Sequence, residues 1–320
     1  MRTAGWAALL LVCAVGAGGC GREYRTEADR FANLTDWKGY DGGLVVCVSG
    51  AGGMMGEVGR IRQGLVEGGV QCAIESFEWS SGWVLADQGD IQANMEKARM
   101  LARRIARYQQ EHPDCPVHLI GVSAGTGLIV WAVEDLCPEH RVENVFLIAS
   151  SLSGTYDLSG ALKNVSGRLY NHFSTVDLVL AILVPAAGTV DRKNGASGGL
   201  NGFQPPEGAD DSTRALYTDK LLQVGWKASD MTLGHGGDHL GGTQAAYVRE
   251  TIASLAWARK PAEAAPSGEL AAVRRPATTQ AVAAPVKDAA PTGRMAGRGT
   301  DSGRAIAATP AVALAVSGGN

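Results

Sequence analysis

The sequence predicts an α/β fold, a three-layer sandwich in which helices cover both faces of a mainly parallel sheet of about six strands. Two observations support this prediction. Short, continuous apolar runs recur along the chain, and between them lie segments with apolar residues at helical spacing, such as Ile91, Met95, Ala98, Leu101 and Ile105. Strands that alternate with helices are joined by right-handed crossovers, so the strands are expected to run parallel.

The predicted elements follow in chain order. Strands are expected at residues 44–49, 70–78, 117–122, 142–150, 168–174 and 221–227. Helices are expected at about residues 56–67, 90–110, 158–165, 177–185 and 243–257, with one more directly after Ser123. Residues 188–215 are rich in Gly, Asp and Pro and are expected to form a long surface loop that could act as a lid. No insertion between the later strands suggests a large cap domain.

The N-terminal segment has the composition of an export signal. Arg2 precedes an apolar run from Ala4 to Val15, and small residues then lead to Cys20. This pattern is typical of a secretory signal and is too short to span a membrane. Small residues directly before a cysteine resemble a bacterial lipobox, in which Cys20 becomes the lipidated first residue; a plain signal peptide cleaved nearby is the alternative.

The C-terminal segment differs from the rest of the chain. From Arg259 onward there is no Phe, Trp or Tyr, and such a composition cannot bury enough apolar surface to order itself. The predicted organisation is a lipoprotein-like signal peptide at 1–20, a tether at 21–40, a folded domain at 41–258 and a disordered tail at 259–320. The protein is expected to be exported and anchored to a membrane through Cys20, on the periplasmic or cell-surface side.

Composition and cysteine placement limit the possible partners. The 320-residue chain has a formal net charge of −3 and no basic stripe with interleaved aromatic residues, so nucleic-acid binding is not expected. No Cys or His cluster has the spacing of metal ligands, and neither a metal nor a cofactor is expected. Cys115 precedes one predicted strand and Cys137 ends the following helix; the two could pair in an oxidising compartment. The oligomeric state is left open.

The pattern Gly121-x-Ser123-x-Gly125 lies between a predicted strand and a predicted helix. A serine on a sharp strand-to-helix turn needs small neighbours, because larger side chains would collide across the turn. The motif alone is weak in a chain with 43 glycines, so its position between the two elements supports the interpretation. Ser123 is therefore a candidate nucleophile.

A nucleophilic serine needs a base, and the base needs an orienting acid. Loops after parallel strands gather at one edge of the sheet. Asp177 follows the second strand after the one that ends at Ser123, and His239 lies in the loop after the third. The order Ser123, Asp177, His239 resembles the α/β-hydrolase family over about residues 44–257, in a compact form that lacks the first two strands. The resemblance implies that Ser123 attacks a carbonyl carbon, His239 transfers the proton and Asp177 stabilises the imidazolium.

Two of these assignments have rivals. Gly234-His235-Gly-Gly-Asp238-His239 contains a second histidine, His235; His239 is preferred because it directly precedes the last helix, where the family places its base. Asp157 follows an earlier strand, which some family members use for the acid. Asp177 is preferred because it lies at a strand-to-helix turn, where it could also cap the helix.

The tetrahedral intermediate of acyl transfer needs backbone donors for its oxyanion. The amide of Ala124, directly after the nucleophile, is one candidate. The glycine-rich loop at 49–53 resembles the oxyanion loop of the family and could supply the other donor from Ala51 or Gly52. The resemblance implies hydrolysis through an acyl-enzyme on Ser123. A carboxyl or lipid ester is the expected substrate, and thioesterase and peptidase activities are the alternatives that the sequence leaves open.

Two other functions compete with the hydrolase. The first is an exported oxidoreductase with a dinucleotide site. It is suggested by the pattern Gly50-x-Gly52-x-x-x-Gly56 before a helix, with Glu75 and Glu78 near the end of the next strand. Against it, Met55 replaces the third glycine of the fingerprint. A non-catalytic binding protein on the same scaffold is the other alternative. Apolar residues expected over the catalytic edge suggest an acyl pocket: Met54, Met55, Trp79, Trp83, Val84, Leu85 and Leu178 to Leu180.

Overall fold

The structure, a computed structural model, describes residues 37–53 and 56–257. The predicted signal peptide, Cys20, most of the tether, Met54, Met55 and the tail at 259–320 lie outside the described residues. The expectations about export, anchoring and the tail therefore stay predictions.

A six-stranded parallel sheet in the order β2-β1-β3-β4-β5-β6 organises the described residues. Its strands are β1 Leu44–Val48, β2 Ala73–Ser76, β3 Val117–Val122, β4 Asn144–Ile148, β5 Leu169–Phe173 and β6 Leu221–Gly225. The central strands β1, β3 and β4 are buried along their whole length, which is why they read as continuous apolar runs. The predicted α/β class and strand number are confirmed.

Helices cover both faces of this sheet. They are α1 Glu57–Glu67, α2 Val84–Gly89, α3 Ile91–Glu111, α4 Gly125–Glu134, α5 Ser159–Lys163, α6 Leu178–Ala187, α7 Gly198–Asn201 and α8 Asp211–Lys220. A last helix, α9, runs through the consecutive segments Ala245–Tyr247, Val248–Ala253 and Ser254–Trp257, of which the middle one is a π-helix. Among the described residues no helix is both long and apolar enough to cross a bilayer.

Two apolar cores lie between the sheet and the helices, one on each face of the sheet. On one face, Leu101 of α3 and Leu128 of α4 pack in a cluster with alternate residues of β1 and β3. On the other face, Ile61 of α1 and Leu180 of α6 pack with the remaining strand residues and α9. Strand side chains alternate between the two clusters, as a sheet covered on both sides requires. This arrangement is the predicted three-layer sandwich.

The prediction of a long surface loop at 188–215 is wrong. The segment contains α7 and the start of α8, and Phe203 between them is 1% exposed. The amides of Gly198 and Gly199 donate to the carbonyls of Leu152 and Ser150, which fixes the segment against the end of β4. The carboxylate of Asp210 accepts from the Thr213 amide at 2.7 Å and caps α8. A segment held in this way is not a free lid.

The start of the domain differs from prediction, and one short helix is additional to the predicted ones. A 3₁₀ helix at Trp37–Gly42 belongs to the domain rather than to the tether, since the Tyr40 hydroxyl donates to Glu75 Oε1 at 2.5 Å and the Tyr40 carbonyl accepts from the Tyr108 hydroxyl. The short helix α2 was not predicted, and it lies directly over the glycine-rich loop that follows β1.

No disulfide joins the cysteines of the described residues. Cys115 donates its thiol to the Asp41 carbonyl at 3.3 Å, and Cys137 is exposed at the end of α4. The disulfide expected between them is therefore absent from this structure. Cys47 is buried in β1, and burial raises the pKa of its thiol to about 12, as for a small apolar core residue.

Candidate active site

Ser123 lies on a strained turn between β3 and α4. Its φ of 50° is in the left-handed region, which side chains rarely adopt. Its amide donates to the Ile148 carbonyl at 2.9 Å, and its own carbonyl accepts from the Thr126 and Ser151 amides. These bonds hold the turn in place and leave the Ser123 side chain half-buried at the edge of the sheet. This is the geometry expected of a nucleophile elbow.

The two glycines of the motif are required by close backbone contacts. A Cβ at Gly125 would overlap the Ser49 carbonyl oxygen and lie 2.9 Å from that of Val48. A Cβ at Gly121 would lie 2.7 Å from Ile129 Cδ1 and 3.1 Å from the Gly125 carbonyl. Because α4 begins against the end of β1, side chains at these positions would push the helix away. The motif is thus structural as well as chemical.

Asp177 and His239 form a hydrogen-bonded pair at the same edge of the sheet. Asp177 follows β5 and is 1% exposed, while His239 follows β6 and its side chain is 13% exposed. His239 Nδ1 lies 2.8 Å from Asp177 Oδ2. The other oxygen, Oδ1, accepts from the Leu180 amide at 3.1 Å and caps α6. With Nδ1 bound to the carboxylate, Nε2 is left as the nitrogen that can exchange a proton.

The rival residues take part in other contacts. His235 is 5% exposed, accepts from the Gly237 amide through Nδ1 and packs edge-on against Tyr247, with ring centroids 4.8 Å apart. Burial lowers the pKa of His235. Asp157 is exposed and accepts from the Ser159 amide in its own loop. Of the alternatives, Asp177 and His239 are therefore the two that the fold brings together.

Backbone contacts bring Ser123 to the same edge as this pair. Ile148, whose carbonyl binds the Ser123 amide, lines a small cleft together with Asp177 and His239. A Cβ on Gly242, three residues after His239, would lie 2.8 Å from Ile148 Cγ2. No hydrogen bond joins Ser123 Oγ to an imidazole among the described residues. Catalytic hydrogen bonds are often loose without substrate and tighten in the complex.

The loop after β1 lies beside the elbow, where a Cβ on Gly50 would approach Ser123 Cβ to 3.3 Å. Two of its amides are already engaged by buried carboxylates. Gly50 N donates to Glu57 Oε1 at 3.0 Å, and Gly52 N donates to Asp87 Oδ2 at 2.9 Å. Of the two predicted loop donors, Gly52 is thus occupied, and Ala51 is the one left for an oxyanion. Ala124 lies at the N-terminus of α4, where amides have no partner within the helix.

Asp87 is a residue that the sequence reasoning missed. Its carboxylate is 2% exposed and accepts from the Gly52 amide, the Ser81 amide at 2.9 Å and the hydroxyls of Ser80 and Ser81 at 2.5 and 2.6 Å. Burial alone would raise the pKa of Asp87, but these hydrogen bonds lower it, so the group is held as the anion. The nearby pair of serines is the one sequence signal, and it is too common to identify the site.

The carboxylates of Glu57 and Asp87 exclude a dinucleotide site in the glycine-rich loop. A pyrophosphate would have to bind the amides that Glu57 and Asp87 already occupy, and it would meet two negative charges. Glu75, one of the two acidic residues in the dinucleotide pattern, instead forms an ion pair with Arg104, with Nε to Oε2 at 3.1 Å. The glycine-rich loop is thus built to present its backbone toward Ser123 and not to bind phosphate.

The other buried histidines of the described residues are structural. His172 is 2% exposed on β5 and its Nδ1 lies 2.9 Å from the Tyr247 hydroxyl. Burial lowers the pKa of His172 to about 3 and that of His118 to about 4, so both are neutral at ordinary pH. Neither is available as a proton carrier near neutral pH.

The strand order and the placement of these residues define the class of fold. The serine follows β3 on a sharp turn, the acid follows β5 and the histidine follows β6, in the chain order serine, acid, histidine. The described chain therefore has the α/β-hydrolase fold, without a large cap domain in the described residues.

Comparison with known proteins adds distant similarities in fold. No family model matches the sequence, and no curated protein matches it. Among solved structures, the chain is similar to lipase B from Aspergillus fumigatus, at 12% identity over 66% of this chain and 52% of the lipase with a TM-score of 0.40. It is also similar to a cutinase from Trichoderma reesei, at 14% identity over 58% of this chain and 93% of the cutinase with a TM-score of 0.33.

A third similar structure is a cutinase-like protein from Cryptococcus sp., at 17% identity over 67% of this chain and 92% of that protein with a TM-score of 0.36. This chain spans about half the length of the lipase. The functional assignment therefore depends on this chain's own side chains.

Proposed function

We propose that the protein is a serine hydrolase that cleaves carboxyl esters through an acyl-enzyme on Ser123. The observation that carries the proposal is the bond between His239 Nδ1 and Asp177 Oδ2 at the sheet edge where Ser123 adopts its strained turn. A buried carboxylate paired with a half-buried imidazole is what a general base requires, because the carboxylate fixes the tautomer and stabilises the imidazolium.

The reaction proceeds in two halves. His239 Nε2 takes the proton of the Ser123 hydroxyl as Oγ attacks the ester carbonyl carbon, and the imidazolium then gives that proton to the departing alcohol. Water repeats the sequence on the acyl-enzyme: His239 takes its proton, hydroxide adds to the carbonyl carbon, and the acid leaves as the proton returns to Ser123. All groups needed for these steps belong to the chain, so the proposed reaction uses no cofactor.

The oxyanion of each tetrahedral intermediate needs donors in place before the reaction. The amide of Ala124 at the start of α4 and that of Ala51 in the neighbouring loop are the proposed donors. Gly52, whose amide donates to Asp87, holds the loop and does not itself bind the oxyanion. A helix N-terminus adds a favourable field for the developing negative charge.

A panel of p-nitrophenyl esters from acetate to laurate tests the proposal. Wild-type protein is expected to hydrolyse at least one of them, with a preference for chains longer than acetate, and Ser123→Ala is expected to lose the activity about 1,000-fold or more. Ser254→Ala, at an exposed position on α9, is the matched serine control. If folded wild type turns over no ester, or Ser123→Ala retains the wild-type rate, the ester-hydrolase proposal fails and a binding role remains.

Export and membrane anchoring through lipidated Cys20 form the second part of the proposal. Their support is the apolar run Ala4 to Val15 followed by small residues and Cys20. Expression in a bacterial host with a radiolabelled fatty acid should label the wild type in the membrane fraction and leave Cys20→Ser unlabelled. Equal labelling of both, or recovery of wild type only from the cytosol, contradicts this part.

A further inference from the structure

Helix α6 is apolar on both of its faces. Leu180 and Val184 face the core and are 2% and 5% exposed. On the opposite side, Leu178 and Ile182 are 69% and 57% exposed, and they lie four residues apart on one stripe. A surface helix of a globular protein ordinarily carries polar residues on its outer face. The outer face of α6 is therefore an exception that needs a partner.

The absence of charge extends beyond this helix. Between residues 174 and 190 the only charged residue is Asp177, and its carboxylate is buried against His239. Exposed apolar residues are common singly, but a contiguous uncharged surface usually marks a binding site. This surface begins at the residue that follows the proposed catalytic acid.

Apolar side chains from two other segments border the same edge of the sheet. Trp83 and Leu85, at α2, are 77% and 44% exposed; Val176 is 49% exposed and Met231, after β6, is 62% exposed. Together with the two α6 residues they form what we call the apolar rim: Trp83, Leu85, Val176, Leu178, Ile182 and Met231.

Contacts connect the rim to the proposed active site. A Cβ on Gly52 would lie 2.8 Å from Val84 Cγ2, which places α2 over the oxyanion loop. Val176 Cγ2 lies 2.6 Å from the position of a Cβ on Gly237, two residues before His239. Gln88 Nε2 donates to the Gly188 carbonyl at 3.2 Å, which joins the end of α2 to the end of α6. The rim therefore borders the catalytic edge on the sides of β2, β5 and β6.

Positive charge lies at one end of the rim. Arg192 and Lys193 are exposed just after α6, and Arg192 Nη1 donates to the Ala187 carbonyl at 3.0 Å, at the C-terminus of the helix. Apolar side chains next to cations match the boundary between acyl chains and anionic headgroups. A Trp at the border of such a surface fits the same depth, since its ring is apolar and its N–H is polar.

We propose that the apolar rim docks the protein on a lipid surface, with α6 lying in the plane of the headgroups and its outer face among the acyl chains. The inference deepens the proposed function and rests on it in one respect: an ester held in the lipid layer would reach Ser123 without crossing water. At about 1.5 Å per residue, α6 is some 15 Å long, suited to lying on the surface. The expected anchor at Cys20 would hold the domain near the same surface.

Quenching of Trp83 by brominated phosphatidylcholine tests this docking directly. The protein is the chain expected after signal removal, residues 20–320, with Cys20→Ser, which removes the lipidation site, and Ser123→Ala, which removes hydrolysis. The expected result is quenching on vesicle addition, of which a measurable part is lost in Trp83→Phe. Since this difference reports Trp83 alone, quenching of other tryptophans does not affect the conclusion. Equal quenching of the parent and Trp83→Phe overturns the proposal.

A matched pair of exposed apolar positions locates the contact. Ile182→Asp is expected to raise the lipid concentration for half-maximal Trp83 quenching at least tenfold, whereas Met100→Asp on α3, where the side chain is 53% exposed, should change it less than twofold. Both variants must retain the parent melting temperature within a few degrees. Tighter binding when 30 mol% phosphatidylglycerol is included, about threefold or more, supports the contribution of Arg192 and Lys193, and equal binding assigns the docking to the acyl chains.

A second copy of the chain is the other partner that could cover the apolar rim. Sedimentation of the same variants without lipid decides this: a dimer that Ile182→Asp converts to monomer, together with no Trp83 quenching, overturns lipid docking in favour of self-association. Because none of these readouts needs hydrolysis, docking and ester cleavage can fail independently. Docking without ester turnover refutes only the proposed function, and turnover of soluble esters without docking refutes only the lipid surface.

Discussion

Asp177 divides its carboxylate between a helix and an imidazole: Oδ1 accepts the Leu180 amide at 3.1 Å and Oδ2 lies 2.8 Å from His239 Nδ1. The start of α6 and the position of the histidine are therefore set by the same buried residue. Capping and orientation use different oxygens, so the two roles can be separated by substitution.

Replacing Asp177 with Asn tests the orienting role. Asn keeps an oxygen for the Leu180 amide, so the melting temperature should fall only slightly, but the negative charge opposite His239 is lost. We expect kcat for ester hydrolysis to fall roughly 1,000-fold or more. Asp157→Asn, at an exposed position, is the matched control and should retain the wild-type kcat. A similar loss in both variants, or in neither, contradicts the assignment of the acid.

Substitutions of His239 and His235, which lie in the same loop, should have different effects on ester turnover and on stability. His239→Gln is expected to abolish turnover with little change in stability. His235→Gln should retain turnover, and it should alter the pH dependence of unfolding. Because burial lowers the pKa of His235, the stability it contributes is present above the unfolded value of about 6.5 and is lost as pH falls below it.

Unfolding free energies measured between pH 5 and 8 check this sign. In His235→Gln, the decrease in stability from about pH 6.5 to pH 5 should be smaller than in wild type. Activity lost in His235→Gln and kept in His239→Gln would reverse the assignment of the base.

The sheet was predictable chiefly because its central strands β1, β3 and β4 are buried along their whole length and read as continuous apolar runs. Each of the six strands contains only residues from a predicted run, and β3 matches residues 117–122 in full. The helix α8 was not predictable, because only Tyr217 among its ten residues is buried and the apolar periodicity is therefore missing. For the same reason α2, with buried Asp87 and Gln88 instead of apolar residues, had no sequence signal.

Asp87 should support the rate without touching the substrate. Its carboxylate binds the Gly52 amide and thereby sets the loop that offers Ala51. We expect Asp87→Asn to lower kcat about tenfold or more with little change in KM, because an oxyanion donor acts in the transition state. The control is Asp90→Asn, which caps α3 nearby by accepting from the Ala93 amide at 3.0 Å and should change stability only.

A purely structural role for Asp87 predicts a different result. If Asp87→Asn lowered the melting temperature and the protein that remained folded had the wild-type kcat, the positioning role would be wrong. The comparison therefore uses kcat per folded molecule, determined by active-site titration.

Glu134 should make stability depend on pH far from the active site. Burial raises the pKa of this carboxyl to about 7, and the Tyr156 hydroxyl donates to Oε2 at 2.8 Å. Since the folded pKa lies above the unfolded value of about 4.5, the folded state binds the proton more tightly and stability falls as pH rises between these values.

The isosteric substitution Glu134→Gln should remove this dependence. The variant should gain stability over wild type on going from pH 5 to pH 8, by up to about 3 kcal/mol if the full shift applies. Denaturant unfolding at the two pH values measures the difference. A parallel pH dependence in both proteins would show that Glu134 does not titrate between them.

The residues of the candidate site were predictable from the sequence, but the hydrogen bonds among them were predictable only in part. Ser123, Asp177 and His239 all follow strands, and parallel topology sends such loops to one edge. Which amide of the 49–53 loop is free depends on Asp87, a carboxylate 35 residues away in the chain, and spacing carries no information about that contact. The exposed face of α6 was likewise hidden, because its apolar sequence reads as core until the exposure of Ile182 is known.

Covalent labelling of the serine tests the central claim most directly. Wild-type protein treated with a fluorophosphonate and digested should yield one modified peptide with the adduct on Ser123, and Ser123→Ala should yield none. His239→Gln should label at least 100-fold more slowly, because the hydroxyl has lost its base. Folded wild-type protein that stays unmodified at Ser123, or a Ser123→Ala variant labelled as fast as wild type, would contradict the account.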